Sequence, residues 1–281
     1  EPVSARLLAN KQPVAVRREG SDLVLALPPS SPDPACSTIE LIIRGEPVVY
    51  KNPAILAPAR EFVKPILVTI DSGSKELEVR YTLDGQVPSD QSLLYTTEIK
   101  IAETTTIQAA AFHHGRRVSS VEQCVLRRVE PWPTTAPKAN RSGLTVEEFL
   151  GDWDHMPDFN QLAPSRAFVL SAVELDWPTP PEFVGRRYQG QLEAPETDMY
   201  RFELTSDDGA RLFIDGKLVV DHDGLHSPES KLGLAPLSKG RHAITVEWFN
   251  KTGGAALGLS WGSIDGKVRP VAADQLWHAD R

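Results

Sequence analysis

The amino-acid sequence predicts an all-β protein made of tandem β-sandwiches. Its 281 residues include 23 prolines and 19 glycines, which separate short runs of β-branched and aromatic residues along the whole chain. Few windows show the periodicity of an amphipathic helix, whereas apolar and polar residues alternate in many short segments. Because single domains commonly have about 100–200 residues, the chain is long enough for two or three of them. We therefore expect a partial sandwich, a small sandwich and a larger C-terminal sandwich.

Composition and charge exclude several classes of partner. Hydrophobic residues make up 41% of the chain and charged residues 24%, which is typical of a folded protein. Lys and Arg number 30 against 38 Asp and Glu, so the net charge of −8 repels polyanions. We expect neither nucleic acid nor a membrane as a partner, since no apolar run approaches the roughly 20 residues of a membrane span. The first residues show no signal peptide, although a mature fragment of a secreted protein would show none either.

The opening segment, residues 1–46, contains four strand-like runs separated by polar or Pro-rich turns. These runs are VSARLLA, PVAVRRE, LVLALP and STIELIIRG. A segment of this length is too short for an independent sandwich. We therefore expect it to be the end of a larger one.

Prolines mark two predicted linkers, residues 47–64 and 131–141. Between them lies the middle module, residues 65–130, in which five strand-like runs are enough for a small sandwich. They are ILVTID, ELEVRYTL, LLYTTEIKI, TTIQAAAF and EQCVLRRV. Asp84 and Gly85 form a turn pair in which the glycine can take a positive φ.

The C-terminal module, residues 142–281, is the longest. Seven strand-like runs with Gly or Asp turns between them predict a two-sheet sandwich. They are RRYQGQLEA, DMYRFELTS, ARLFIDG, KLVVDH, KLGLAPL, RHAITVEWF and AALGLSW. Ahead of them, VEEFLGDW at residues 146–153 is compatible with a short helix or with a strand.

Two parts of the chain resemble known domain families. From YTLDGQVPS through LLYTTEIKIAETTTIQAAAFHHGRRVS, the middle module resembles the small immunoglobulin-like domain that follows the catalytic domain in chitobiase and many other bacterial glycosidases. That resemblance implies a spacer. The C-terminal module resembles the protective-antigen type of β-sandwich, the PA-fourteen domain. The strings that follow the order of that family are PDFNQLAPS, FVGRRYQGQLEAPETDMYRFEL, SDDGARLFIDGKLVVD, LSKGRHAITVEWFN and GGAALGLSW.

A pair of adjacent carboxylates, Asp207 and Asp208, is the candidate metal site. Calcium takes oxygen ligands in flexible geometry, and the following Gly209 permits a tight loop. In sugar-binding members of the family, such as yeast adhesins, the pair is joined by a cis peptide and a calcium bridges the protein to sugar hydroxyls. The resemblance implies the same here, with Asn250 as a further ligand. The other interpretation is a structural turn in which the first carboxylate caps backbone amides and no metal binds.

Residues beside that pair are the candidate sugar contacts. The resemblance implies that Lys251 begins the specificity loop, which is shorter and richer in glycine here than in the adhesins. Sugar rings stack on flat aromatic side chains, and Trp177, set among prolines, is expected to be the most exposed candidate. Strand alternation places one of Trp248 and Phe249 inside, and Trp261 is expected in the core. The predicted sugar-binding set is Asp207, Asp208, Asn250, Lys251 and Trp177.

Other reactive side chains carry weaker signals. A second polar cluster, in HDGLH, lacks the regular ligand spacing of a zinc site, so we expect a solvated loop there. Its members are Asp221, His222, Asp223 and His226. The two cysteines, Cys36 and Cys124, fall in different modules, and their positions do not indicate whether they pair.

No catalytic residue is predicted in this chain. Glycosidases need two carboxylates about 5–10 Å apart, on a scaffold with a deep cleft. The sequence lacks strand–helix alternation, a G-x-S-x-G elbow, an HExxH motif and a phosphate-binding glycine loop. The adjacent Asp207 and Asp208 suit a cation better than opposed acid and nucleophile roles.

The opening segment adds a third resemblance. Its short apolar strand ending in LP and the Pro-Asp pair after it resemble the end of the C-terminal β-sandwich of α-L-fucosidases. Together the three resemblances imply the non-catalytic accessory region of a secreted glycoside hydrolase, an α-L-fucosidase, in an extracellular or periplasmic location. The implied partners are a glycan and the catalytic domain of the parent enzyme.

Two alternatives stay open at this point. The middle and C-terminal modules could instead be structural, packing on a catalytic domain or a partner subunit and binding no small ligand. The chain could also be the cleaved partner of a catalytic chain.

Overall fold

The structure, a computed structural model, describes residues 2–19, 22–33, 35–45, 50–134, 139–177 and 181–279. Within these ranges the regular structure is almost entirely β, which confirms the predicted fold class. The helical elements are two short 3₁₀ turns, Phe159–Gln161 and Ala273–Gln275. Across the described ranges, no helix has the length and apolar character needed to cross a membrane. The chain forms two compact units, residues 1–51 and 52–281.

The first unit contains a single antiparallel four-stranded sheet. Its strands are β1 (Pro2–Leu7), β2 (Pro13–Glu19), β3 (Asp22–Ala26) and β4 (Ile39–Ile43). They lie in the order β3-β2-β1-β4, and each corresponds to one of the four predicted runs. The buried residues of this sheet are Ala5, Leu7 and Val14, while Leu41 and Ile42 stay exposed. One sheet with so small a core matches a partial sandwich.

The middle module is built from two sheets that enclose a common core. Its strands are β5 (Ala54–Leu56), β6 (Glu61–Phe62), β7 (Ile66–Asp71), β8 (Glu78–Thr82), β9 (Leu93–Leu94), β10 (Ile99–Ile101), β11 (Thr105–His113), β12 (Arg116–Arg117) and β13 (Glu122–Arg128). One sheet has the order β10-β7-β5 and the other β6-β13-β11-β8-β9, with β12 paired to β11. The turn glycine Gly85 takes a φ of 78°, as the Asp-Gly pair predicts. Cys124 in β13 is buried, and both it and Cys36 carry free thiols.

Two of these strands fall in the predicted linker 47–64 and correct that prediction. β5 pairs with β7, and β6 runs parallel to β13 and places the fully buried Phe62 in the core. From Ala54 onward the segment therefore belongs to the sandwich. Its prolines misled the sequence argument because Pro53, Pro58 and Pro65 lie before or between short strands, where proline is tolerated. Residues 47–49 of the predicted linker lie outside the described residues.

The C-terminal module is a two-sheet sandwich. Its strands are β14 (Arg141–Ser142), β15 (Leu144–Leu150), β16 (Arg166–Leu170), β17 (Val184–Ala194), β18 (Asp198–Asp207), β19 (Ala210–Ile214), β20 (Lys217–His222), β21 (Glu229–Leu237), β22 (Gly240–Asn250), β23 (Ala256–Ser263), β24 (Arg269–Pro270) and β25 (Leu276–His278). The eight-stranded sheet has the order β14-β25-β17-β22-β19-β20, with β15 between β16 and β17. The four-stranded sheet has the order β21-β18-β23-β24.

Alternating burial explains why these segments are strands. In β22, for example, His242, Ile244, Val246 and Trp248 are buried, and the residues between them are only half-buried. All seven predicted runs are confirmed as strands. Of the segment 146–153, for which both a helix and a strand were open, residues 146–150 lie in β15, where buried Leu144 and Val146 alternate with half-buried Thr145 and Glu147.

The middle and C-terminal modules share a core rather than being separated by a free linker. Met199 at the start of β18 and Ile264 after β23 are buried in the hydrophobic cluster of the middle module. Arg201 donates a hydrogen bond of 3.3 Å to the carbonyl of Pro58. At the start of the predicted linker 131–141, the backbone NH of Trp132 donates to the carbonyl of Pro236 at 2.7 Å. Residues 135–138 of that linker lie outside the described residues.

A group of buried charges lies within the eight-stranded sheet. Arg186 is fully buried and donates two hydrogen bonds of 3.1 Å to one oxygen of Glu148. Arg166 donates two more to the same carboxylate, at 2.8 and 2.9 Å. Arg186 also lies 2.7 Å from the carboxylate of Asp176. Burying charges is tolerable only when they are paired and hydrogen-bonded in this way.

Tyr188 makes the stability of this sheet sensitive to alkaline pH. Burial raises the pKa of Tyr188 to about 12, although the neighbouring Arg186 acts in the opposite direction. Its hydroxyl donates to the carbonyl of Glu174 at 2.7 Å. Because the pKa is higher in the folded than in the unfolded chain, stability is complete below about pH 10 and falls by up to ~3 kcal/mol as the pH rises to about 12.

Urea unfolding of the wild type and of Tyr188→Phe at about pH 9 and about pH 11.5 tests this expectation. The variant should lose less stability over that range, because it has no hydroxyl at this position to ionise. The same pH dependence in both proteins would contradict the argument.

Candidate functional site

The site lies where the chain crosses from one sheet to the other. Strand β18 of the four-stranded sheet ends at Asp207, and β19 of the eight-stranded sheet begins at Ala210. Ala210 pairs with Trp248, two residues before the end of β22 at Asn250. The fold therefore brings the ends of β18 and β22 to the same end of the sandwich. This places the predicted ligands in one region.

Asp208 joins two loops at this end. Its Oδ2 atom accepts a hydrogen bond from the backbone NH of Lys251 at 2.8 Å, and its Oδ1 atom accepts one from the backbone NH of His226 at 3.2 Å. Asp208 is buried, and its peptide bond to Asp207 is cis, as the resemblance implies. The carboxylate thus fixes the loop after β22 against the loop after β20.

The carboxylate of Asp207 is buried without such partners. Among the described residues, none donates a hydrogen bond to it, whereas its backbone carbonyl accepts one from the indole NH of Trp248 at 3.1 Å. Burial raises the pKa of Asp207, and the adjacent charge of Asp208 raises it further, while His226 lowers it. Burial and the charge of Asp208 therefore both disfavour the ionised carboxylate, and no described side chain forms an ion pair with it.

Asn250 contributes an oxygen that is also unpaired. Its side chain is 0% exposed, and its Nδ2 atom donates to the carbonyl of Pro181 at 3.1 Å. That bond fixes the orientation of the amide. The Oδ1 atom is buried and, within the described part of the chain, has no hydrogen-bond partner. Buried polar atoms nearly always have one, so a free acceptor here needs an explanation.

Glycines let the backbone close around these oxygens. A Cβ atom on Gly209 would lie 2.6 Å from the ring of Phe249 and 2.9 Å from the backbone nitrogen of Gly224. A Cβ atom on Gly254 would lie 3.2 Å from Oδ2 of Asp207. Gly209 is therefore required by space alone, since both neighbouring groups are held in the core or in the backbone.

The backbone of Lys251, rather than its side chain, makes the contact with the aspartate pair. Its NH binds Asp208, and its carbonyl accepts from the NH of Phe183 at 2.9 Å. Its ammonium group is bound by Asp154 at 2.6 Å and Asp152 at 3.1 Å, and these carboxylates raise the pKa of Lys251. A direct contact of this side chain with sugar stays a prediction.

The aromatic residues near the site differ from the expectation. Trp177 is half-buried, and the guanidinium of Arg186 covers one face of its ring at 3.4 Å from the ring centroid, so sugar stacking on the other face stays a prediction. Trp248 and Phe249 are both fully buried, although alternation predicted only one inside. Phe249 packs with Phe149, Met156 and Phe159 in a smaller hydrophobic cluster outside the main core. Trp261 lies in the core as predicted.

The polar cluster after β20 is not the solvated loop that we expected. His222 is buried and its ring stacks on His226, with centroids 4.0 Å apart. Asp221 and Asp223 are instead bound by Arg211, at 3.1 and 3.0 Å. Strand alternation explains the opposite sides taken by Asp221 and His222, which are the last two residues of β20.

Glu229 joins the two histidines, and sequence reasoning missed it. One possible ligand atom from each of His222, His226 and Glu229 lies within 4.8 Å of the other two. Burial lowers the pKa of His222, and the nearby charge of His226 lowers it further, which favours a neutral imidazole. No local pattern marks Glu229, because it starts the next strand, in the other sheet.

Asp207, Asp208 and Asn250 fit a hard cation. Their side chains offer only oxygen donors, which is the chemistry that calcium prefers. The free Oδ1 atom of Asn250 and the uncompensated carboxylate of Asp207 are the two features that such an ion would satisfy. The site brings together the three residues predicted as metal ligands. His226 and Trp248, which bond to the two aspartates, were not predicted.

Two family models match separate parts of the chain. Residues 141–275 match the PA14 domain, the family called PA-fourteen above. Residues 57–123 match the chitobiase/beta-hexosaminidase C-terminal domain. Both matches agree with the resemblances found in the sequence.

Curated relatives are longer than this chain. A beta-hexosaminidase of Porphyromonas gingivalis is 26% identical over 223 residues, which is 73% of this chain and 28% of that protein. The anti-sigma-I factor RsgI3 of Acetivibrio thermocellus is 27% identical over 138 residues, 46% of this chain and 21% of that protein. The chain thus spans less than a third of either relative. Among solved structures, a PA14 sugar-binding domain from an RTX adhesin is 16% identical with a TM-score of 0.44, covering 50% of this chain and 100% of that one.

Proposed function

We propose that the C-terminal module binds carbohydrate through a calcium ion, in a non-catalytic accessory region of a glycoside hydrolase. The PA14 match over residues 141–275 supports the binding role, as does the position of Asp207, Asp208 and Asn250 at one end of the sandwich. The match to a beta-hexosaminidase over 73% of the chain supports the parent class. The narrower proposal of an α-L-fucosidase rests on the opening segment alone. A secreted location, extracellular or periplasmic, belongs to the same proposal.

The observation that carries this proposal is the buried Oδ1 atom of Asn250, which has no hydrogen-bond partner among the described residues and lies at the same end of the sandwich as the buried carboxylate of Asp207. Leaving such atoms unsatisfied costs about 1–3 kcal/mol each, and more for a charged group. Asp207, Asp208 and Asn250 would hold the calcium. When bound, the ion would take hydroxyl oxygens of a sugar as further ligands.

The protein residues have separate roles in this proposal. Asp207 and Asp208 supply the negative charge. Asp208 also positions the backbone of Lys251, and Asn250 is oriented by its hydrogen bond to Pro181. The site would therefore be preorganised before a ligand arrives, which reduces the entropy lost on binding.

Calcium titration of the chain and two variants tests the proposal. Asn250→Ala removes a neutral oxygen, and we expect calcium affinity to fall at least about tenfold. Asp208→Asn removes a charged ligand, and we expect a fall of about a hundredfold or more. Asp265→Asn, an exposed aspartate in the turn after β23, is the matched control and should leave affinity unchanged. Isothermal titration calorimetry gives all three constants.

Binding to a panel of glycans, with calcium and with a chelator, is the second readout. We expect binding that needs calcium and that both variants lose. Calcium affinity that is the same in wild type, Asn250→Ala and Asp208→Asn would refute the metal site. Glycan binding that survives chelation would refute the role of the ion in recognition.

A structural role is the second candidate, and the shared core supports it. Met199 and Ile264 of the C-terminal module are buried among residues of the middle module, so the pair of modules forms one body suited to packing on another domain. This interpretation predicts no glycan binding under either condition.

A further inference from the structure

We propose that His222, His226 and Glu229 form a binding site for a divalent transition metal of the zinc class. This site is distinct from the oxygen site at Asp207 and does not depend on the proposed function. It lies where the end of β20 meets the start of β21.

The three side chains are already close together. The Nε2 atom of His222 lies 3.7 Å from Oε1 of Glu229, and one ligand atom from each of the three residues falls within 4.8 Å of the others. The two imidazole rings stack with an interplanar angle of 23°. Zinc is bound by nitrogen at about 2.0–2.1 Å and by carboxylate oxygen at about 2.0–2.2 Å. A tilt of the less buried His226 ring and a rotation of Glu229 would bring the ligands to those distances.

A second observation points to a ligand at this position. The side chain of His222 is 8% exposed, and its Nε2 atom is buried without a hydrogen bond to any described residue. The ring atom that faces Glu229 is therefore unsatisfied, and the carboxylate is too distant to bond with it. A cation between the two groups would satisfy both.

The surroundings of His226 suit a metal ligand. Its Nδ1 atom lies 3.0 Å from the carbonyl of Ser227, which accepts a hydrogen bond from the Nδ1–H tautomer. In that tautomer Nε2 carries the lone pair, and metal binding would draw this atom away from the carbonyl of His222, which lies 3.3 Å from it. Metal-binding histidines commonly use their other nitrogen to donate to a backbone carbonyl in this way.

The set of donors selects the class of metal. Two imidazoles and one carboxylate favour zinc and similar ions over calcium, which prefers oxygen. The nearby Asp221 and Asp223 do not compete, because both bind Arg211. Glu229 is 62% exposed, so a fourth position would be open to water.

The two sites are linked through one loop. The backbone NH of His226 donates to Asp208 at 3.2 Å. A metal on the His226 ring would therefore stabilise the loop that supplies this hydrogen bond.

Cobalt titration followed by visible absorption, with zinc competition, tests the site in the whole chain without a histidine tag. We expect one equivalent of Co²⁺ with the intense bands of low coordination number, displaced by one equivalent of Zn²⁺. His226→Gln and Glu229→Gln should each weaken zinc binding more than about tenfold. His114→Asn is the matched control, because the rings of His113 and His114 are also close, with centroids 4.1 Å apart, but belong to no group of three possible ligands among the described residues.

Two measurements keep the outcome clear. The unfolding temperature of metal-free Glu229→Gln should be close to that of the wild type. Weaker zinc binding by this variant would then result from the lost carboxylate ligand and not from a damaged fold. Asp207→Asn should keep the cobalt spectrum, so failure of the calcium proposal would leave this one standing. An absent cobalt spectrum, or equal zinc affinity in wild type, His226→Gln and Glu229→Gln, would overturn the proposal.

Discussion

Replacing Arg186 with methionine should lower the free energy of unfolding of the unit formed by residues 52–281 by about 3–5 kcal/mol. The guanidinium is fully buried and contacts Glu148, Asp176 and the ring of Trp177. Methionine fills much of the volume of the arginine side chain, but the carboxylates of Glu148 and Asp176 each lose one cationic partner. The larger part of the cost comes from Glu148, which keeps Arg166 as a partner but loses two hydrogen bonds in the interior of the sheet.

Arg166→Met is the control for this prediction. It removes bonds to the same Glu148 carboxylate, but its own side chain is half-exposed, so water can replace it. We expect a loss of about 1 kcal/mol. Denaturant unfolding curves of both variants give the comparison. Equal losses would show that burial of Arg186 is not what makes it important.

Trp248→Ala is expected to have an effect of similar size, about 3–5 kcal/mol, because it leaves a large cavity between the two sheets. Trp248 is fully buried in the main core of the C-terminal module. Trp153→Ala is the control, since that ring is only half-buried and packs against a small satellite cluster. Thermal and denaturant unfolding measure both losses.

Trp248→Phe separates the role of the indole NH from that of the ring. It keeps an aromatic ring but removes the hydrogen bond to the carbonyl of Asp207. We expect stability to fall by about 1–3 kcal/mol and calcium affinity to fall with it, because the backbone of the aspartate pair loses its support. Unchanged calcium affinity in this variant would show that the carbonyl contact does not organise the site.

Much of the fold was predictable because strand alternation is a local signal. Every predicted run in the C-terminal module is a strand, since each carries its own pattern of buried and exposed residues. The strands β5 and β6 escaped prediction because they are three and two residues long and bounded by prolines. Segments that short contain no periodicity to detect.

The candidate site, like the fold, was predictable only where the signal is local in the sequence. Asp207, Asp208 and Asn250 were identified from a motif and its place in a family order, and the structure brings them together. The neighbouring prolines of Trp177 do not reveal that Arg186, which lies on β17, covers one face of its ring. Glu229 was missed because its proximity to His222 depends on how two sheets pack, which no single stretch of sequence records.

The core shared by the middle and C-terminal modules fixes the distance between their junction and the candidate site. Met199 is anchored in the middle module, and Asp207 lies at the other end of the same strand, eight residues on. At about 3.3 Å per residue the strand holds the site roughly 25 Å from the junction. A flexible tether would let a bound ligand sample many positions. Because the strand is rigid, a ligand bound at Asp207 and Asp208 would be held at a constant distance and orientation relative to the middle module.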